Sequence, residues 1–203
     1  AGLLYTADIK QFVSQFKSAR LDYLLLAFVG YLLGQLVSAC KWRLIAEPFG
    51  FQDPLKTFVS YYFAGMYLNL VGPSIIVGDV GRGYLLAKAK TRLVASLQTV
   101  VIDRVVGLVM LVWVNAAGFL AFGASVFPRV LYYGTVFGAV ASCLFWWVLP
   151  RLVRSFFFPE GSLRRFTERV LLLFGQNPGL LCRVCVVSVL FHVFQIFLQW
   201  VVA

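Results

Sequence analysis

The chain has 203 residues, of which 61% are apolar and 13% charged, and its mean hydropathy is +0.87. Soluble domains average about 45–50% apolar and about 25% charged, so this composition excludes a soluble globular class and leaves the lipid bilayer as the solvent. The net charge is +10, from 18 Lys and Arg against 8 Asp and Glu. These cations fall between apolar runs and form no stripe with stacking aromatics, which argues against a nucleic-acid partner and for anionic lipid headgroups.

Residues 1–20 set Lys10, Lys17 and Arg20 against Ile9, Phe12, Val13 and Phe16 at helical spacing, the pattern of an amphipathic segment lying on the membrane surface. Residues 21–40 are uncharged apart from Asp22. About 20 helical residues at 1.5 Å each cover the ~30 Å hydrocarbon core. Lys41, Trp42 and Arg43 close this span as a cationic and aromatic interface anchor. Glu47-Pro48-Phe49-Gly50 and Asp53-Pro54 then mark a turn-rich loop.

Residues 57–70 are apolar and aromatic but short for a span, and Gly72-Pro73 breaks them. After residues 74–77 comes Gly78-Asp79-Val80-Gly81-Arg82-Gly83. A short helix, a Gly-Pro break and a glycine-rich polar turn predict a re-entrant or broken helix over 57–77. Irregular backbone at membrane depth survives only when buried in protein or lining a cavity. Residues 84–92, with Lys88, Lys90 and Arg92, read as a basic helical edge.

Residues 93–122 form a long apolar run interrupted by Asp103-Arg104, and 105–122 alone is long enough to span. A short loop at 123–129 leads to a span over 130–149, closed by Trp146, Trp147, Pro150 and Arg151. Residues 151–169 read as a basic loop and 170–174 as a short amphipathic helix. Asn177-Pro178-Gly179 turns into the last apolar run, 180–202. The positive-inside rule puts the 82–92 edge and the 151–169 loop, two spans apart, in the cytoplasm and the 123–129 loop outside. A re-entrant 57–77 adds the 41–56 loop to the cytoplasmic side and leaves residues 1–20 outside; a spanning one swaps those two. The expected fold is therefore one all-α, polytopic transmembrane helical bundle over 1–203. The chain begins with Ala and stops inside an apolar run, so it reads as a fragment of a larger membrane domain.

Cys40, Cys143, Cys182 and Cys185 lie in or beside apolar runs. The pair Cys182 and Cys185 has no second pair to complete a zinc site, so packing is the expected role. No G-x-S-x-G, H-E-x-x-H or Walker sequence occurs, and the glycine-rich stretch is not the dinucleotide fingerprint. No cofactor is expected.

Ionisable residues inside membrane segments are costly and mark candidate sites. The first such place is 69–82, with Asn69, Pro73, Gly78, Asp79 and Arg82. A glycine-rich turn opening a helix would offer backbone N–H groups to an anion. Arg82 would add a bidentate donor for phosphate, and Asp79 would pair with a cation or a headgroup amine. The plainer reading is a tight turn and an interface anchor.

The second place is Asp103-Arg104. Ser96, Thr99, Asp103 and Gly107 fall on one helix face, which should point into the bundle or a cavity. The competing reading puts the pair at the cytoplasmic rim, snorkelling. The third place is His192, Gln195 and Gln199, on one face behind Ser188. Hydrogen bonding between helices is the expected role.

Asn69-Leu-Val-Gly-Pro73, then Gly78-Asp79-x-x-Arg82-x-x-Leu85, then Ile102-Asp103-Arg104-Val105-Val106-Gly107-Leu108 together resemble the lysylphosphatidylglycerol synthase transmembrane-region family. These are flippase-like membrane domains, found alone or fused to others. Lys41-Trp42-Arg43-Leu44 is similar to the end of an early family helix. Val77 stands where the family has the first glycine of Gly-Gly-Asp, which weakens the carry-over of a tight turn there.

The resemblance implies a lipid or lipid-linked substrate in a prokaryotic cytoplasmic membrane. It carries over Asp79, Arg82, Asp103 and Arg104 as lipid-binding candidates, with Asn69 and Pro73 shaping the break. Nothing in the chain resembles the soluble aminoacyl-transferase domain of fused members, so catalysis is not inferred.

The leading expectation is binding or translocation of an anionic or lipid-linked substrate. Its rival is a non-transporting accessory subunit that supports a lipid- or glycan-modifying enzyme. A third option, an integral-membrane transferase, would need more acidic residues near the cavity. A homo-oligomer and a partner enzyme both stay open. Distance separates the first two readings: a lipid site requires the Asp79–Arg82 stretch and the Asp103–Arg104 pair to meet.

Overall fold

The computed structural model describes residues 21–88, 92–122, 129–155 and 177–202. They form six α-helices and no strand: α1 (Leu21–Ala46), α2 (Leu55–Val71), α3 (Ile75–Ala87), α4 (Leu93–Phe122), α5 (Arg129–Ser155) and α6 (Pro178–Val202). A 3-10 turn, Glu47–Phe49, follows α1. The expected amphipathic segment at 1–20, the loop at 123–128 and residues 156–176 lie outside the described residues. Helices α1, α4 and α6 are each long and apolar enough to cross a membrane, and α5 is apolar over Arg129–Leu144. The chain is a multi-pass membrane protein with an all-α fold. Helix α5 runs through Pro150 to Ser155, where a loop was expected from 151. Proline's fixed φ is compatible with a helix, and its missing N–H removes one bond.

The broken segment is a helical hairpin. Helix α2 stops where Gly72 turns extended (φ −83°, ψ 160°), because Pro73 disfavours helical geometry in the residue before it. Ser74 restarts the chain: its hydroxyl accepts the Ile76 N–H at 3.2 Å, capping α3. The two helices then run back to back at a separation only glycine permits. A Cβ on Gly78 would sit 2.0 Å from the Gly65 carbonyl oxygen, and one on Gly65 would sit 2.8 Å from that of Gly78. Asn69 locks this crossing, its Oδ1 accepting the Gly78 N–H at 2.7 Å.

The hairpin enters and leaves on one side of the bundle. At its base Lys88 pairs with Asp53, and that hydrogen bond holds the exposed Lys88 ammonium above its ordinary pKa. Arg92 donates to the Gly50 carbonyl at 2.6 Å and covers the Phe51 ring at 4.3 Å. Lys88 and Arg92 are therefore neighbours of the 50–54 stretch, the arrangement of a re-entrant segment.

The hairpin packs on α1 and α4. Trp42, Ala46, Phe51, Phe58, Leu86 and Val100 form one core, with Trp42 edge-on to Phe58 at 5.1 Å. Ile45, Ile102, Val106 and Val184 form a second that brings in α6. Lipid supplies no hydrophobic drive between helices, so small residues that let backbones approach carry much of the packing. Gly30 and Gly34 of α1 accordingly receive Leu198 and Gln195 of α6. Helix α5 leans on α4, with Tyr132 6.2 Å from Phe119.

Gly78→Ala is expected to destabilise the purified protein strongly, by about 1–3 kcal/mol or more, because backbone atoms must part to admit the methyl group. Gly118, whose added Cβ would meet nothing within 4 Å, is the control: Gly118→Ala is expected to be neutral or slightly stabilising. Thermal unfolding in detergent, followed by size exclusion, checks both; equal melting temperatures for the two variants would refute the close crossing.

Candidate functional site

Two glycines in the hairpin clear room for two charged residues. Asp79 and Arg82, three residues apart on α3, lie on the side of the Gly65–Gly78 contact that faces α4. Helix α4 brings Asp103 and Arg104, consecutive and so about 100° apart around the helix. Helix α1 brings Lys41. The result is a chain of ion pairs through the bundle. Lys41 Nζ lies 3.0 Å from Asp103 Oδ1 and donates to the Asp103 backbone carbonyl at 3.3 Å. Arg82 Nη2 donates to Asp103 Oδ2 at 3.0 Å. Arg82 Nε lies 3.3 Å from Asp79 Oδ1. Arg104 closes on Asp79 with both arms, Nε to Oδ2 at 2.9 Å and Nη2 to Oδ1 at 2.7 Å.

Burial differs sharply along this chain. Asp103 is 3% exposed and Arg82 2%, whereas nearly half of the Arg104 side chain is exposed. Arg82 lies between two aromatic faces, its guanidinium carbon 4.9 Å from the ring centres of both Trp42 and Tyr62. Such cation–π contacts are strongest where water is excluded. Trp42 is fixed in turn by its indole N–H, which donates to Thr99 Oγ1 at 3.0 Å; Thr99 passes its hydroxyl to the Ser96 carbonyl at 2.7 Å. Ser96 donates to the Gly83 carbonyl at 2.6 Å and ties α4 to α3. Arg82 Nη1 makes no hydrogen bond within the protein.

Beside this network is a cavity of about 180 Å³ between α1, the hairpin and α4. Tyr31 and Gln35, four apart on α1, form one wall; Tyr62, Met66 and Asn69 of α2 form the second. Asp79, Arg82 and Arg104 supply the charge. Gln35 is eleven residues from the Ala46 end of α1, about 16 Å along the helix, which is roughly half the ~30 Å hydrocarbon core.

The four charged residues carried over from the sequence, Asp79, Arg82, Asp103 and Arg104, thus lie in one network. Asp103 sits behind Arg82 and does not line the cavity. Asn69 and Gly78 shape the crossing. Pro73 lies at the exposed tip of the hairpin, away from the cavity.

Two expectations are corrected. Gly78, Gly81 and Gly83 lie within helix α3, not in a turn that opens it. Asn69 Oδ1 takes the N–H of Gly78 and those of Gly81 and Gly83 belong to the helical ladder, so none is left to cradle an anion; the glycines serve contact with Gly65, Leu68 and Leu97. Lys41 and Trp42 are also no interface anchor, since they lie inside α1 and are buried at 7% and 0% exposure.

The polar residues of α6 divide. His192 Nε2 lies 2.9 Å from the Gly107 carbonyl of α4, while Gln195 packs on Gly34 of α1. Gln199 is exposed, against the expectation that it packs with the other two, because Leu198 takes the groove over Gly30 at that level. Sequence reasoning missed Lys41, Trp42, Tyr62, Gln35 and Tyr31. The available signal was the stripe Gly34, Gln35, Ser38, Lys41, Trp42, Ile45, which recurs every three to four residues on α1 and buries throughout.

The model of the family described as lysylphosphatidylglycerol synthase TM region matches residues 1–203. The chain belongs to that family and is a lipid-related membrane protein. No curated protein and no solved structure matches it.

Removing Asp103 leaves the buried Lys41 without its carboxylate and the buried Arg82 with Asp79 alone. Asp103→Asn is expected to cost about 3–5 kcal/mol, the range for breaking one partner out of a buried ion pair. Arg43→Gln, which removes a half-exposed pair with Glu47 on the outside of α1, should cost only a few tenths. Chemical denaturation of the two variants in detergent distinguishes them, and an Asp103→Asn protein as stable as wild type would remove Asp103 from the framework.

Proposed function

We propose that this chain binds the charged headgroup of a membrane phospholipid or lipid-linked phosphate in the cavity between α1, the hairpin and α4, and carries it across the cytoplasmic membrane of a prokaryote. The observation that supports this reading is one wall of the cavity. Arg104 and Arg82 both line it, and Nη1 of Arg82 has no hydrogen-bond partner within the protein. A phosphate has no place in hydrocarbon unless its charge is met and its oxygens accept hydrogen bonds. Two guanidiniums supply both, and planar forks suit phosphate geometry. The acyl chains need no protein site, because they stay in lipid beside a cavity that admits only the headgroup.

The same geometry favours this reading over an accessory subunit, which expects Asp79, Arg82, Asp103 and Arg104 to face lipid rims or a protein partner with no shared cavity. Transfer chemistry is not assigned to this chain. The cavity holds one carboxylate, Asp79, and both its oxygens are engaged by guanidiniums, so it is poorly placed to act as a general base.

Arg104 is the test residue because it is half exposed and removing it leaves no buried cation unpaired. In vesicles containing the purified chain and a fluorescent phospholipid, the rate at which inner-leaflet probe becomes accessible to an impermeant quencher outside measures translocation. Arg104→Gln is expected to lower that rate about 10- to 100-fold, the loss of a charge-assisted pair, with the melting temperature little changed. An unaltered rate in a folded variant would sink the proposal.

A further inference from the structure

The charges around the cavity do not cancel. Among the described residues Lys41, Arg82 and Arg104 face two carboxylates, Asp79 and Asp103, so three cations against two anions leave one positive charge in excess. His192 spends Nε2 on the Gly107 carbonyl and in its neutral form adds nothing. Tyr31 and Tyr62 are uncharged walls.

Resting on the reading that this cavity holds a headgroup, we propose that it selects a monoanionic phosphodiester, and that the ligand enters by anion exchange, its phosphate replacing Asp79 on Arg104. A monoanion brings the network to neutrality. A dianionic phosphomonoester overshoots by one negative charge, and a zwitterion leaves the excess uncorrected. Uncompensated charge away from water is the costliest of these states.

The three cations are not equivalent, which is what makes exchange specific. Lys41 is tied to both the side chain and the backbone of Asp103. Arg82 is held by Asp103 and by two aromatic faces, with almost no exposure. Neither has room to move. Arg104 alone is half exposed, and both its hydrogen bonds go to Asp79. A bidentate fork gripping a carboxylate presents the donor spacing needed by two non-bridging phosphate oxygens. Asp79 is therefore the anion whose place on Arg104 a phosphate would take. Once displaced it retains Arg82 Nε, 3.3 Å away, and Arg82 Nη1 is left to donate to the phosphate. No bond is made or broken and no proton moves in the exchange.

The test is a binding series on the purified full chain in detergent at pH 8.5, above the second pKa of about 6 of a phosphomonoester. The probes are dihexanoyl phosphatidylmethanol, dihexanoyl phosphatidic acid, dihexanoyl phosphatidylcholine and dimethyl phosphate. Phosphatidylmethanol is expected to bind at least about tenfold more tightly than phosphatidic acid or phosphatidylcholine, equivalent to one uncompensated charge partly screened. Asp79→Asn removes the competing anion, so it is expected to raise the affinity for phosphatidylmethanol and to narrow its lead over phosphatidic acid. A merely structural Asp79 would do neither. Wild-type preference for phosphatidic acid, or weakened phosphatidylmethanol binding by folded Asp79→Asn, overturns the exchange while leaving a headgroup site standing. Should that variant not fold, the wild-type series alone decides. Dimethyl phosphate binding as tightly as phosphatidylmethanol would support the charge rule and overturn the lipid as its source. Binding of none of the four overturns the headgroup reading itself.

Discussion

One carboxylate joins three helices. Asp103 of α4 receives Lys41 from α1 and Arg82 from α3, and it does so where water is scarce. Each of these charges would be costly in the bilayer alone, and together they are tolerable only in one geometry. The hairpin is thereby fixed against the bundle by a polar contact, in a solvent that offers apolar faces no reason to associate. The rest follows from that contact. Gly78 and Gly65 must touch so that α3 can present Arg82 at the correct height, and Trp42 and Tyr62 must flank Arg82 to share its charge.

Much of the architecture was readable in the residues because the bilayer imposes strong rules. Spans announce themselves by length and hydropathy, and Gly72-Pro73 announces a break because proline disfavours helical geometry in the residue before it and glycine there is a poor helix former. The neighbouring Gly78-Asp79-Val80-Gly81-Arg82-Gly83 misled for a physical reason. Glycine clusters mark turns in water, where exposed backbone is free to hydrogen-bond solvent. In a membrane bundle the same residues stay helical, since leaving the ladder strands N–H groups in hydrocarbon, and they are used for close approach instead.

The site was legible in part. Asp79, Arg82, Asp103 and Arg104 stood out as charges in apolar surroundings, and the stripe of Ser96, Thr99 and Asp103 pointed to the buried face of α4. Their pairing was not legible, because which cation meets which carboxylate depends on the tertiary crossing of α3 and α4. Lys41 and Trp42 were hidden by their position. A cation and a tryptophan at the end of an apolar run have the composition of an interface anchor, and only the continuation of α1 to Ala46, with the hairpin folded over it, buries them.

Asp103 and Arg104 show how adjacent residues divide scaffold from function. A helix turns about 100° per residue, so one side chain of the pair faces inward and the other faces the cavity mouth. The inward carboxylate is committed on both oxygens and has no freedom to respond to a ligand. The outward guanidinium holds a carboxylate on a neighbouring helix and can release it to any anion of equal geometry. Asp79 experiences both worlds, one oxygen near the immobile Arg82 and both within reach of the mobile Arg104. A network built this way can change its outer anion without disturbing its inner one, because the pairs on Asp103 share no atom with the Arg104–Asp79 hydrogen bonds that would be exchanged. The stability of the bundle and the occupancy of its cavity are then separable properties, set by Asp103 and Asp79 respectively.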